Sequence, residues 1–179
     1  MEKLFAVVLG GRAPKCNIEL HDVVFVTGEK IEDTYHQLLD KWFGLPEKMH
    51  IDCYLTLDIV DGFEVSLVKE PVEQDEKLYF INMGAYKAGD FMEHHANTFL
   101  IDIKASNINS RAKQSLLKGL DEVHKDDLYD IDDLISITEI NGYNIKLSST
   151  EKTENLNPVN GYHVLPKTVV KAYLEAKTA

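Results

Sequence analysis

Residues 3–26 of this chain recur at residues 77–100. Aligned so that Lys3 falls on Lys77, an offset of 74, the segments share Leu4/Leu78, Gly10/Gly84, Glu19/Glu93, His21/His95 and Phe25/Phe99. Further pairs such as Phe5/Tyr79, Val7/Ile81 and Leu9/Met83 are conservative. The offset of 74 also matches His50 to His124 and Asp52 to Asp126, and it becomes 80 at Gly62/Gly142 and Leu67/Leu147. The second copy therefore carries an acidic insertion, placed by this alignment after Asp126. One small unit has been duplicated, and whatever fold it adopts must be adopted twice.

Each copy reads β-β-α-β-β. Leu4–Leu9 is continuously apolar, as in a strand covered on both faces, and Val23–Val26 is a second strand. Ile31, Tyr35, Leu38, Leu39 and Trp42 recur at helical spacing, and Gly44 and Pro46 stop that helix. Residues 50–60 form a strand that turns at Asp61-Gly62 into Phe63–Val68. The second copy repeats this with Leu78–Met83, Thr98–Ile103, a helix over 109–120, Leu134–Ile140, an Asn141-Gly142 turn and Tyr143–Leu147. The expected class is α+β, two copies packed about a pseudo-two-fold axis, because one unit alone is too small to cover both faces of its first strand. The division expected is repeat one at 1–69, an acidic linker at 70–76, repeat two at 77–149, and a polar linker with a C-terminal helix at 150–179. In that helix Val169, Val170, Tyr173 and Leu174 form one apolar stripe, which suits a lid or a dimer-docking surface.

The charge narrows the partners. Net charge is −11, with no basic stripe, so the chain repels phosphate backbones and nucleic acid is not expected. No stretch reaches the roughly 18 apolar residues of a membrane helix. Lys3–Leu9 resembles a short export signal, but its copy inside the chain marks it as a strand. Cys16 and Cys53 lack ligand spacing, which suits a reduced, cytoplasmic protein.

Packing explains repeated apolar residues easily and repeated histidines poorly. A Glu-x-His precedes the second strand in both copies, as Glu19/His21 and Glu93/His95, and a His-x-Asp opens the third, as His50/Asp52 and His124/Asp126. If strands two and three run parallel through a helical crossover, their starts share one sheet edge, where an antiparallel first strand would end with Gly10 and Gly11. Gly84 takes the place of Gly10 in the second copy, followed by Ala85. Such a corner could hold a divalent metal or pair a base with its orienting acid. Equally, each histidine could bond a backbone carbonyl and serve folding alone. The acidic run HKDDLYDIDD, residues 124–133, lacks the glycine and distal glutamate of a calcium loop and reads as solvated. His36, His94 and His163 have no repeat partner and read as surface residues.

Dinucleotide, P-loop, nucleophile-elbow and Cys-x-x-Cys motifs are absent from the sequence. The first expectation is a non-enzymatic module, a homo-oligomer, whose His/acid corners are structural or bind a small molecule. The second is a metal-dependent or acid–base enzyme working at those corners. The third is an interaction module using its acidic face and C-terminal helix. No cofactor is named by the residues beyond a candidate divalent metal.

The strings LFAVVLGG, NIELHDVVFVTG, HIDCY with VDGFEVSL, LYFINMGAY and HKDDLYDIDD resemble the bacterial domain-of-unknown-function family 1543 over roughly residues 3–147. The resemblance implies a tandem pair of the domain and names no activity.

Overall fold

The computed structural model describes residues 1–86, 89–116, 130–153 and 156–178. Repeat one contributes β1 (Lys3–Gly11), β2 (Leu20–Gly28), a 3-10 turn leading into α1 (Tyr35–Lys41), β3 (His50–Thr56), β4 (Ile59–Val60) and β5 (Phe63–Val68). Repeat two follows the same order: β6 (Lys77–Ala85), β7 (His94–Asp102), α2 (Ala105–Leu116), β8 (Asp130–Ile137), β9 (Glu139–Ile140) and β10 (Tyr143–Ser149). The strand expected at 50–60 is broken at Leu57–Asp58 into β3 and β4. The expected second helix begins four residues early, at Ala105. Residues 117–120 of that expectation lie outside the described residues.

β1 and β6 are central because each is flanked on both sides by antiparallel partners, β1 by β2 and β3, and β6 by β7 and β8. Both are apolar along nearly their whole length because both faces are covered. Phe5, Val7 and Leu9 point outward, to a core with Val24, Leu38 and Leu39. Tyr79, Ile81 and Met83 do the same toward Ile108 and Ala112 of α2. The opposite faces meet each other. Leu4 and Ala6 share a core with Leu78 and Phe80, in which the rings of Phe25 and Phe80 sit edge to face at 5.6 Å. The result is a helix–sheet–sheet–helix stack.

A third sheet, in the order β4-β5-β10-β9, joins the copies at the Leu4 end. Its register records the symmetry: Ser66 pairs with Lys146, and these positions are equivalent at the offset of 80. Only a two-fold axis through that pair lets a residue face its own counterpart. Both hairpins turn as their sequences dictate, with positive φ at Asp61-Gly62 (50° and 80°) and Asn141-Gly142 (52° and 72°), the type I′ pattern.

The tail departs from expectation at one point. The segment assigned to a polar linker contains β11 (Val159–Val164), which pairs antiparallel with the outer edge of β3. An edge strand needs only main-chain partners, so its alternation of polar residues gives little periodic signal. α3 (Lys167–Thr178) then lays Val169, Val170 and Tyr173 against the outer core of repeat one, half-buried, above the buried Leu165. The Tyr173 hydroxyl donates to Leu39 O at 3.1 Å or to Asp40 Oδ1 at 3.0 Å, and Lys177 reaches Asp40 at 3.0 Å. Burying Leu165 alone is worth about 1.5–3 kcal/mol. Removal of residues 164–179 is therefore expected to lower Tm by roughly 5–10 °C. A calorimetric scan showing no shift would mean that α3 is not part of the folded body.

Candidate metal-binding corners

Gly10 is the residue around which the first corner is built. On one side it pairs with His21 of β2 and on the other with His50 of β3. The parallel strands β2 and β3 thus bring their starts to one edge with the end of β1 lying between them. Glu19 immediately precedes β2. Asp52 is delivered by a β-bulge: Leu9 pairs with Ile51 and Val8 with Cys53, so Asp52 is the extra residue. Bulges release a side chain from the ladder and re-aim it.

Four side chains converge there. His21 Nε2 lies 3.1 Å from Asp52 Oδ2, and His50 Nε2 lies 3.1 Å from Asp52 Oδ1 and 3.3 Å from Glu19 Oε1. Glu19 Oε2 is 4.0 Å from His21 Nε2. The separations of 3.1–3.3 Å are short enough for hydrogen bonds, yet the angles are wrong for them. Neither ring nitrogen of His50 has a hydrogen-bond partner, nor does Asp52 Oδ2. The His50 side chain is 2% exposed, against 54% for His21. A β-carbon on Gly10 would lie 2.5 Å from both His50 Nε2 and Asp52 Oδ2, so only glycine leaves the groups room. Gly11 is similarly constrained by Lys48 O and the Trp42 ring. The ring of Tyr162, on β11, lies against His50 with centroids 4.2 Å apart and the ring planes tilted by 42°. Burial, with the Asp52 charge adding to it, pushes the neighbouring Cys53 thiol above its ordinary range.

The second corner follows the same plan with different residues. Gly84 pairs with His95 on one side and Asp130 on the other, and a bulge at the same place leaves Asp132 unpaired between Ile131 and Asp133. The register therefore places Asp130 and Asp132 where repeat one has His50 and Asp52. The match of His50 to His124 and Asp52 to Asp126 is overturned as an equivalence. The offset of 80 already applies at the start of β8, so the acidic insertion lies before this strand. His124 and Asp126 themselves lie outside the described residues. Glu93, His95 and Asp132 each bring one ligand atom to within 4.8 Å of the others, and His95 Nδ1 is 3.3 Å from Asp132 Oδ2. A β-carbon on Gly84 would fall 2.5 Å from Glu93 Oε1 and closer still to Asp132 Oδ2. The Glu93 carboxylate beside it raises the Tyr86 hydroxyl pKa, with the Asp132 charge adding to the shift.

His36, His94 and His163 are exposed, and His94 pairs with Asp90 at 2.6 Å. Sequence reasoning missed Tyr162 and Asp132 as corner residues. The DID string of residues 130–132, aligned on HID at 50–52, was the signal that could have found Asp132.

Residues 16–67 match the family model Domain of Unknown Function (DUF1543), which supports the family resemblance over that span. The chain is also similar to a protein, Il1583, from Idiomarina loihiensis, known from a crystal structure. The two are 28% identical with a TM-score of 0.74, over 93% of this chain and 100% of that one. No curated protein matches. Among the described residues no helix is long and apolar enough to cross a membrane.

Proposed function

We propose that the protein binds a divalent transition-metal ion at the corner of repeat one, through Glu19, His21, His50 and Asp52, and a second ion at the corner of repeat two. The observation that carries this is the His50 imidazole, 2% exposed and without a hydrogen bond at either ring nitrogen, with its Nε2 held 3.1–3.3 Å from two carboxylates in poor hydrogen-bonding geometry. A buried polar ring without a partner costs on the order of 1–3 kcal/mol, and two adjacent carboxylates repel. A divalent cation removes both costs, since lone pairs that cannot bond each other can share an ion. A histidine kept for folding alone would bond a backbone carbonyl, and His50 does not. Two nitrogens and two oxygens suit zinc and its first-row neighbours better than calcium or magnesium. Repeat two supplies one nitrogen and two oxygens, which shifts preference toward manganese. A bound ion could polarise a ligand as a Lewis acid, but the geometry supports binding more directly than it supports any one reaction. The wider setting we propose is a cytoplasmic homo-oligomer, divided at residues 69, 76 and 149 so that each corner belongs to one copy.

Metal analysis of protein purified without a histidine tag tests this. About one equivalent of metal in repeat one is expected, lost in the His21→Ala/His50→Ala variant while that variant keeps its circular dichroism. Metal at 100 times Kd adds about 2.7 kcal/mol of stability, a rise in Tm of roughly 5–10 °C. No saturable uptake of Zn²⁺ or Mn²⁺ by the stripped protein would refute the assignment.

A further inference from the structure

Beyond the corners, a cleft of about 470 Å³ opens between the two face-packed sheets, and His21 and His95 both line it. It also contains the pairs Val8/Asn82 and Val23/Asn97, equivalent at the offset of 74, so it lies across the pseudo-two-fold axis. The walls have diverged. Val8 pairs with Val23 across β1 and β2, while Asn82 pairs with Asn97 across β6 and β7. A valine platform thus faces an amide platform, with Phe80 beside them. The Oδ1 of Asn82 is buried with no hydrogen-bond partner, an acceptor in need of a donor. Two further carboxylates, Asp22 and Asp133, line the cleft. Two carboxylates in each corner would be neutralised by a divalent ion, so the charge left facing the cleft comes from this pair.

From this we infer that the cleft is a single binding site for a small organic amine. Its ammonium is held by the field of Asp22 and Asp133, and a small turn of the Asn82 side chain brings the sealed Oδ1 within reach of it. Its hydrocarbon body lies on Val8, Val23 and Phe80. An anion meets two carboxylates there, and a hydrocarbon leaves the Asn82 acceptor unpaired. The inference does not require that the corners hold metal, because no residue that recognises the amine is a corner ligand.

The test is a titration of the full-length chain, labelled with ¹⁵N, with benzylamine, and with benzyl alcohol and benzoate as neutral and anionic controls. Benzylamine is expected to bind one equivalent, to move the amide signals of Val23, Asn82 and Asn97, and to bind about ten-fold more tightly than benzyl alcohol. Asn82→Leu and Asp133→Asn should each weaken it about ten-fold, with Tm reported alongside to show the fold is kept. Repeating the titration on metal-stripped protein separates the two ideas. Amine binding with no metal uptake leaves the cleft assignment standing alone, and metal uptake with no amine binding removes only the cleft. Benzoate binding as tightly as benzylamine, absence of saturable shifts, or shifts that spare Val23, Asn82 and Asn97 would each overturn the proposal.

Discussion

Gly10→Ala is expected to abolish metal uptake at the first corner and to destabilise the fold. The added methyl would sit 2.5 Å from His50 Nε2 and from Asp52 Oδ2, well inside van der Waals contact. Gly10 is bonded on both sides within the sheet, so the strand cannot move away without breaking its pairing with His21 and His50. The side chains must yield instead, and His50, being buried, has nowhere to go. Overpacking of this kind costs about 1–3 kcal/mol, or a Tm lowered by roughly 3–10 °C. Gly84→Ala should do the same to the second corner and leave the first intact. The readouts are metal stoichiometry and the imidazole signals of His21 and His50. Full metal content in the alanine variant would show that the corner groups do not converge on Gly10.

The second large effect is expected at Asp61. This hairpin residue of repeat one reaches into repeat two, where its carboxylate accepts from Arg111 Nη2 at 2.6 and 2.8 Å and from Ile101 N at 2.8 Å. Arg111 also donates to Ile101 O and to Asp102. The Asp102 carboxyl lies below its ordinary range chiefly through the Lys104 amide, with Asn107 and Arg111 helping. Across the pseudo-two-fold, Asn141 of the other hairpin donates to Gln37, which itself bridges both main-chain groups of Thr27. Each hairpin tip thus plugs the partner copy, one through an ion pair and one through amides. Asp61→Ala strands the Ile101 amide and half of the Arg111 fork. Because Arg111 is about one-third exposed, screening brings the cost to about 2 kcal/mol rather than the larger figure for a buried pair. A double-mutant cycle with Arg111→Ala in denaturant melts should return a coupling near 1–2 kcal/mol. Additive single effects would mean that the hairpin tip does not hold the copies together.

How the site was legible follows from the same residues. His21 and His50 are 29 positions apart, yet a repeated Glu-x-His and a His-x-Asp at strand starts were enough to place them on one edge. That inference needed only the crossover rule and the alternation of strands. The second corner was misaligned because a six-residue difference in offset can be placed anywhere between Leu100 and Gly142 on sequence alone. His124 and Asp126 offered an attractive identity match. The strand pairing of Gly84 with Asp130 decides otherwise, since hydrogen-bond register depends on which residues the main chain aligns and not on residue type.

The sequence by itself determined the duplication, the type I′ hairpins and the two central strands, because glycine at positive φ and continuous apolar burial are local demands that particular residues must meet. It also placed Glu19, His21, His50 and Asp52 of the first copy at one sheet edge. Only the tertiary structure decided that the two sheets stack face to face with a cleft on their axis, and that β5 pairs with β10 across the copies. Only it delivered Asp52 and Asp132 on matching bulges and laid Tyr162 against His50. Those outcomes depend on main-chain pairing and on contacts between segments distant in sequence, and main-chain groups are the same in every residue.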